Sequence, residues 1–236
     1  MGILKLELLL NIKKIKVMNI NTLQQNFEQR RQQYHDDFRL RIHRALSWLQ
    51  RSEQAKHEQD IDAQFIFLWI GFNSIYAKEY ITLNRQPDKS AFLEYIYQIC
   101  FLDTSHEIYN HVWITFPHSI RLLLNNHFTF QLFWDYQNGL ITQDEWLTAF
   151  EKHKRKALIA LSEKDTCTIL TIVFNHLYTL RNQILHGGAT YNSTVNRSQL
   201  KDACQILAAL IPIFISIMLD NPQEKVWGKT FYPVIK

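Results

Sequence analysis

Residues 165–188 read DTCTILTIVFNHLYTLRNQILHGG, and this stretch predicts a buried helix with well-defined ends. Asp165 is a favourable N-cap, and Gly187-Gly188 is the residue type that closes helices in the left-handed conformation. On a helical wheel, one face carries an apolar stripe formed by Leu170, Val173, Leu177, Leu180 and Ile184. We therefore expect this helix to line the core of a helical protein.

The opposite face of the same helix carries short, uncharged polar side chains and one His. This stripe consists of Thr168, Thr171, Asn175, Thr179, Asn182 and His186. Because a solvated helix face usually carries long charged side chains, the stripe predicts a face turned towards a partner subunit or a cleft. The alternative is close packing on another helix of the chain through small hydrogen-bonding residues.

The composition of the chain favours an all-α fold. Of its 236 residues, 47% are hydrophobic and 20% are charged, which is enough apolar surface for a large core. With only 6 Gly and 5 Pro, a turn-rich β architecture is disfavoured. We expect an up-and-down helical bundle with extra short helices inserted. Residues 21–236 would form one domain, and residues 1–20 an N-terminal extension of uncertain role, with Met18 as an alternative start.

Periodicity and capping signals place the helices in the first half of the chain. One long amphipathic helix is expected from Thr22 to about Arg51, and among its apolar positions lie Arg30, Arg31, Arg39, Arg41 and Arg44. The next helix contains FIFLWIGFNSIYAKEY, with Asp60 or Asp62 as its N-cap. It is apolar enough to be buried on most sides, so it should be a central element of the bundle. Residues 84–90 are expected to form a loop.

In the second half, residues 91–138 divide into short, aromatic-rich helical pieces. The predicted breaks are at Asp103, Pro117 and Gly139. Thr142 and Glu145 form a capping-box pattern that opens a helix running to about Ser162. A last apolar helix is expected from about Arg197 to Leu219, kinked at Pro212.

Several classes of protein are disfavoured by the sequence. The 3 Cys are distant from one another and include no C-x-x-C pair, so neither a disulfide framework nor a zinc site is expected. Lys5 and Glu7 interrupt the apolar start MGILKLELLLN, which disfavours a signal peptide. The apolar run 203–219 is short for a membrane span and predicts a buried core helix. We expect a cytoplasmic protein that needs no metal or cofactor and does not bind membranes.

Arg181 and His186 are the candidates for catalysis. His186 lies in the final helical turn, where it can act as a general acid or base. Arg181 offers a planar cation that matches phosphate oxygens bidentately, and its long stem can swing towards the imidazole side. Asn182, one turn before His186, can orient the ring or the substrate. The net charge of +4 permits an anionic substrate without requiring one.

The spacing of Arg181 and His186 is weak evidence by itself. The same spacing, with four or five residues between, occurs in Arg30/His35, Arg51/His57 and Arg121/His127. Only Arg181 is followed by Asn, preceded by an apolar helical run and paired with a His placed directly at a Gly-Gly helix stop. This context separates the candidate pair from the other three.

The stretch RNQILHGG resembles the R-x4-6-H signature of HEPN domains, in which a polar residue, often Asn, follows the Arg. HRALSWLQRSEQ followed by FIFLWIGFNSIYA resembles the first helical pair of bacterial HEPN proteins. HGGATYNSTVNR and WGKTFYPVIK resemble a group of stand-alone HEPN proteins of this length. The likeness covers residues 40–82 and 165–236 well and residues 90–160 poorly.

This resemblance implies a helical bundle that dimerises so that two Arg/His pairs face each other and cut RNA without metal. It assigns Arg181 and His186 as catalytic and Asn182 as their polar companion. It also implies a role as a toxin or phage-defence effector, sometimes paired with a nucleotidyltransferase antitoxin. The alternative is a non-catalytic HEPN module that binds RNA or a protein partner through the same dimer face.

Two further features have open interpretations. The basic run KHKRK at 152–156 can grip an RNA backbone or can simply be a solvated helix face. The aromatic residues at 92–101 and 128–136 can stack bases, although such residues at helical spacing are usually part of a core.

Overall fold

The computed structural model describes residues 19–79, 88–194, 196–230 and 232–234. Within these ranges the chain forms a bundle of ten α-helices without a β-strand, which confirms the all-α prediction. The helices are α1 (Ile20–Arg30), α2 (Asp36–His57), α3 (Ile61–Tyr76), α4 (Asp88–Leu102), α5 (Glu107–Asn110), α6 (Pro117–Leu124), α7 (Gln131–Gln137), α8 (Gln143–Glu163), α9 (Thr166–Leu185) and α10 (Arg197–Asp220). Short 3-10 turns cover Arg31–Gln33, His127–Thr129 and Lys225–Trp227, and a π-helical turn covers His111–Thr115.

Two sequence predictions fall partly outside the described residues. Residues 1–18 of the predicted N-terminal extension are among those not described, and α1 begins at Ile20. Residues 80–87 of the loop region are also outside the described ranges. The predicted loop 84–90 is too long at its end, because α4 already begins at Asp88.

The core is shared by α3, α9 and α10. α3 packs against both α2 and α10. The ring centroid of Phe72 on α3 lies 4.6 Å from that of Phe174 on α9 and 6.5 Å from that of Phe214 on α10. All three Phe side chains are fully buried. The expectation that the FIFLWIGFNSIYAKEY helix is a central element is therefore correct.

The most apolar helix, α10, is a core helix. By length and composition it could cross a membrane, but 72% of its apolar window is buried inside the bundle. The prediction of a buried core helix is thus confirmed. α10 continues through Pro212 as a single helix and ends at Asp220, two residues before Pro222.

The single long helix predicted from Thr22 to Arg51 is wrong, because the chain breaks between α1 and α2. Arg31–Gln33 form a 3-10 turn, and Tyr34 is extended with φ −91° and ψ 142°. The buried Tyr34 ring stacks on Phe27 with centroids 6.1 Å apart and lies 5.1 Å from the Phe38 ring. This aromatic contact lets both helices direct their apolar faces into the core, which a continuous helix would not allow.

Arg41, one of the Arg residues of the predicted amphipathic helix, is fully buried, which the sequence analysis did not predict. Its Nη1 donates to the carbonyls of Ile75 at 3.1 Å and Ala77 at 2.6 Å, at and just past the end of α3. Its Nη2 donates to the carbonyl of Trp227 at 2.7 Å. Burial lowers the pKa of Arg41 to about 10. The guanidinium therefore ties the C-terminal tail to the end of α3.

The local capping predictions agree with the structure. The Asp60 side chain caps α3 by accepting from the backbone N–H of Ala63 at 2.9 Å. Thr142 and Glu145 form both halves of a capping box at the start of α8. Breaks occur at Asp103, which follows α4, and at Pro117, the first residue of α6. Such caps were predictable because they need only residues three or four apart in sequence.

Candidate functional site

The C-terminal end of α9 is fixed by a Schellman motif. The N–H of Gly188 donates to the carbonyl of Gln183 at 2.7 Å, and the N–H of Gly187 donates to that of Ile184 at 3.2 Å. Gly187 has φ +74°, which favours glycine. A Cβ added to Gly188 would lie 2.8 Å from the carbonyl oxygen of Gln183. Gly187 is needed for its positive φ, and Gly188 is needed because a Cβ would not fit beside Gln183. Together they hold His186 in the C-cap position.

Arg181 is anchored on the last turns of α9. Its Nη1 donates to Oδ1 of the neighbouring Asn182 at 2.9 Å, and its guanidinium carbon lies 5.8 Å from the ring centroid of Tyr178. The side chain is half-buried, and its Nε is buried without a hydrogen-bond partner. Asn182 therefore contacts Arg181, as expected of a polar companion, and leaves the outer guanidinium nitrogen Nη2 without a partner among the described residues.

His186 is exposed at the end of α9. Its ring makes no hydrogen bond or ion pair with any residue that the structure describes. Arg181 and His186 are separated by five positions, or about 140° around a helix, and no hydrogen bond joins their side chains in the described chain. The structure thus brings the three candidate residues onto one helix end but does not join Arg181 to His186.

The polar stripe of α9 divides into two parts. Thr171 and Thr179 are buried within the single chain, where α4, α6 and α8 pack around α9. Thr179 Oγ1 donates to the carbonyl of Asn175, one turn earlier in the same helix, at 3.2 Å. The expectation that the whole stripe faces a partner or cleft is therefore wrong for Thr171 and Thr179. Asn182 and His186, at its C-terminal end, are partly or fully accessible.

Gln183 connects the helix end to two other segments, a role that the sequence analysis missed. Its Nε2 donates to the carbonyl of Phe128 at 2.5 Å, and its Oε1 accepts from Nδ2 of Asn196 at 3.0 Å. The partners lie 55 and 13 residues away in sequence. Phe128 is therefore a neighbour of the turn that carries Asn182 and His186.

The polar loop after His186 is held against the start of α3. Arg197 Nη1 forms an ion pair with Asp62 Oδ2 at 2.7 Å, and the Tyr191 hydroxyl donates to Asp60 Oδ2 at 3.0 Å. The Tyr191 phenol has a raised pKa because its hydroxyl donates to Asp60. Asp60 and Asp62 signalled only a helix cap in the sequence, so their contacts with this loop were not predictable.

A second polar cluster lies beneath the basic run of α8. His176 Nε2 is 2.8 Å from His153 Nε2, and His176 Nδ1 is 2.7 Å from the hydroxyl of Thr129. Thr129 donates its hydroxyl proton to the carbonyl of Asn126 at 2.9 Å, so His176 Nδ1 is the donor to Thr129. His176 Nε2 then accepts from His153. Burial, followed by the proximity of His153, lowers the pKa of His176 to about 3.

Within the described ranges, no group of three or more His, Cys, Asp or Glu side chains could hold a metal ion. Comparison with protein-family models, with curated proteins and with solved structures finds no match for the chain.

Proposed function

We propose that the protein is a metal-independent endoribonuclease whose catalytic residues are Arg181 and His186. The observation that supports this most is the end of α9, where a Schellman motif holds an exposed imidazole one turn and a half beyond an anchored guanidinium. A titratable ring and a permanent planar cation at one helix end are the groups that phosphoryl transfer requires. The resemblance of RNQILHGG to the HEPN signature leads to the same proposal.

In this mechanism the nucleophile is the 2′-hydroxyl of the RNA itself. It lies next to the phosphorus, so its attack has the effective-concentration advantage of an intramolecular reaction. The 2′-oxygen bonds to phosphorus, the bond to the 5′-oxygen breaks, and a proton passes from the 2′-hydroxyl to the leaving oxygen. His186 exchanges the proton with one of these oxygens, and Arg181 stabilises the charge on the phosphorane-like transition state.

A homodimer would complete this site. The ring of His186 has no partner among the described residues of its own chain, and its side chain is not joined to Arg181. A second Arg/His pair from a symmetric subunit, facing the first, would supply both the acid and the base of the reaction. Asn182 would then keep Arg181 in place, since its Oδ1 accepts from the guanidinium at 2.9 Å.

Cleavage of RNA by purified protein tests the proposal. Unmodified protein is expected to cut RNA in the presence of EDTA, to spare DNA for lack of a 2′-hydroxyl, and to leave 2′,3′-cyclic phosphate and 5′-hydroxyl ends. His186→Ala and Arg181→Ala are each expected to lower the cleavage rate by about 100-fold or more. Activity that vanishes on chelation, or products with 5′-phosphates, would rule out this mechanism.

In the cell, we propose that the ribonuclease acts in the cytoplasm as a toxin or phage-defence effector, with a nucleotidyltransferase-type antitoxin as its partner. Both roles rest on the HEPN resemblance alone. Expression in bacteria is then expected to slow growth, and His186→Ala is expected to restore it. Equal growth inhibition by both proteins would remove His186 from the mechanism.

The second candidate function is a non-catalytic module that binds RNA or a protein partner. The observation in its favour is the lack of any contact that orients the His186 ring within the described chain, because a catalytic base is usually held by a third group. Equal binding of RNA by the unmodified protein and by the His186→Ala variant, with cleavage by neither, would support this candidate.

A further inference from the structure

A groove of about 660 Å³ runs between α6 and α8. Arg121 on α6 and Lys154 and Arg155 on α8 line it, and Leu124 and Leu158 add apolar surface. Leu158 is 66% exposed, so part of this apolar surface is accessible to a ligand. The groove therefore combines cationic groups with an accessible apolar wall.

The charges of this groove are not balanced. Glu151 also lines it but forms an ion pair with Lys154 at 2.5 Å, which accounts for one cation. Arg121 and Arg155 are exposed and form no ion pair with any residue in the described ranges. Two guanidinium groups are left to bind an anion, and guanidinium matches the geometry of phosphate.

The groove leads to the candidate catalytic end of α9. Asn125 lines the groove, and Phe128 follows three residues later, so their Cα atoms are at most about 11 Å apart. The Phe128 carbonyl accepts from Gln183 at 2.5 Å, and His186 lies three residues, or about 4.5 Å of helix rise, beyond Gln183. Phe128 thus lies close to both the groove and the helix end.

Phe128 itself presents an aromatic face at this position. Its side chain is 42% exposed, although the ring packs on His127 with centroids 4.1 Å apart and on Phe133 at 5.4 Å. These contacts hold the ring in place while leaving part of it open. A fixed, partly exposed ring is suited to stacking on a base, an interaction that every base can make.

We propose that single-stranded RNA reaches the candidate site along the groove between α6 and α8. Arg121 and Arg155 bind backbone phosphates, and Phe128 stacks on a base next to the phosphodiester that faces Arg181 and His186. This inference rests on the proposed ribonuclease function, because that function places the reacting phosphodiester at Arg181 and His186. Binding of RNA in the groove does not itself require cleavage. Single-stranded RNA has repeated negative charges and flat base faces. The guanidinium groups of the groove complement the charges, and the Phe128 ring complements the base faces.

The test measures binding of the full chain carrying His186→Ala to a fluorescein-labelled RNA of about 12 nucleotides by anisotropy at several salt concentrations. Adding Arg121→Gln and Arg155→Gln is expected to reduce the slope of log K against log salt by about 1.4, because each phosphate contact to a single strand contributes about 0.7. Adding Phe128→Leu instead is expected to weaken binding about tenfold, with the salt slope unchanged.

Matched controls remove the same charges and the same ring type elsewhere. Lys225 and Lys229 are exposed in the C-terminal tail, at the other end of α10 from the loop that follows His186, and Lys225→Gln with Lys229→Gln should leave the salt slope unchanged. Phe101 on α4 is 80% exposed, and Phe101→Leu should leave the affinity unchanged. The substituted Arg and Lys residues and Phe101 are all exposed, so replacing them does not disturb the core.

The outcomes separate this inference from the proposed function. A reduced slope with the groove variant supports the RNA path even if the protein with His186 intact cuts no RNA. Normal cleavage by unmodified protein, together with an unchanged slope and affinity in the groove and Phe128 variants, overturns the path and leaves the ribonuclease proposal standing. Failure of the His186→Ala protein to bind RNA, or groove-dependent binding to anionic vesicles or an acidic peptide instead, also overturns it.

Discussion

Two glycines at the end of α9 differ in the reason that each is needed, and this difference can be measured. Gly187→Ala introduces a side chain at φ +74°, which costs about 1 kcal/mol. Gly188→Ala places a Cβ 2.8 Å from the Gln183 carbonyl oxygen, so the backbone that carries His186 must move. We expect Gly188→Ala to reduce RNA cleavage more strongly than Gly187→Ala, by about tenfold or more.

Gly139 provides the control for this prediction. It follows α7 in the same type of helix-closing motif, has φ +72°, and has no atom within 4 Å of an added Cβ. Gly139→Ala should lower the free energy of unfolding in urea about as much as Gly187→Ala does, without an effect on cleavage. Equal activity of all three variants would show that the position of His186 does not matter to the reaction.

The buried His176, which contacts the half-buried His153, predicts sensitivity to acid. In the unfolded chain His176 ionises with an ordinary pKa near 6.5, but in the fold burial lowers its pKa to about 3. The unfolded state therefore binds a proton between these values and the folded state does not. The stability that neutral His176 contributes is complete above pH 6.5 and is lost as the pH falls towards 3, by an amount on the order of 3–5 kcal/mol.

Urea unfolding at pH values from 7.5 to 4 checks this. His176→Asn removes the titration, so its free energy of unfolding should be lower at pH 7.5 but should fall less steeply towards pH 4. His57→Asn is the control, because His57 is exposed at the end of α2 and should leave the slope unchanged. A slope in His176→Asn as steep as in the unmodified protein would contradict the prediction.

At the scale of whole helices, the sequence predicts ends and breaks that carry a local signal, but it misses a break that depends on packing. Asp60, Thr142 and Asp165 cap α3, α8 and α9 as expected, because a cap depends on neighbours within one turn. The break between α1 and α2 has no Gly or Pro. It depends on packing of the Tyr34 ring against Phe27 and Phe38, which helical periodicity cannot reveal.

Arg41 on α2 joins the end of α3 to the C-terminal tail, so its loss should lower the free energy of unfolding more than the loss of an exposed Arg on the same helix. Arg41→Met leaves the carbonyls of Ile75 and Trp227 without their donor in a buried place. We expect the free energy of unfolding to fall by about 3 kcal/mol or more. Arg39→Met, two residues earlier on the same helix, removes only a surface pair with Asp36 and should cost about 1 kcal/mol or less. Similar losses in both variants would refute the assigned role of Arg41.

At the scale of the whole molecule, the candidate residues were predictable but their surroundings were not. Arg181, Asn182 and His186 share one helix, so their relative placement follows from sequence spacing. The contacts of Gln183 with Phe128, and of Arg197 with Asp62, join segments 55 and 135 residues apart. Such contacts depend on how the helices pack, and no local pattern in the sequence encodes them.

The last prediction concerns assembly. Asn182 and His186 remain accessible at the end of α9, and the proposed mechanism needs two Arg/His pairs, so we expect a homodimer in solution. Light scattering at micromolar concentration should give about twice the chain mass of 28.2 kDa. Because the mechanism needs two pairs, mixing unmodified protein with an excess of a double variant, Arg181→Ala with His186→Ala, should lower the cleavage rate per unmodified chain, since most unmodified chains then lie in dimers that hold one pair. A monomer that cuts RNA at full rate, or an unchanged cleavage rate per unmodified chain in the mixture, would contradict the shared site.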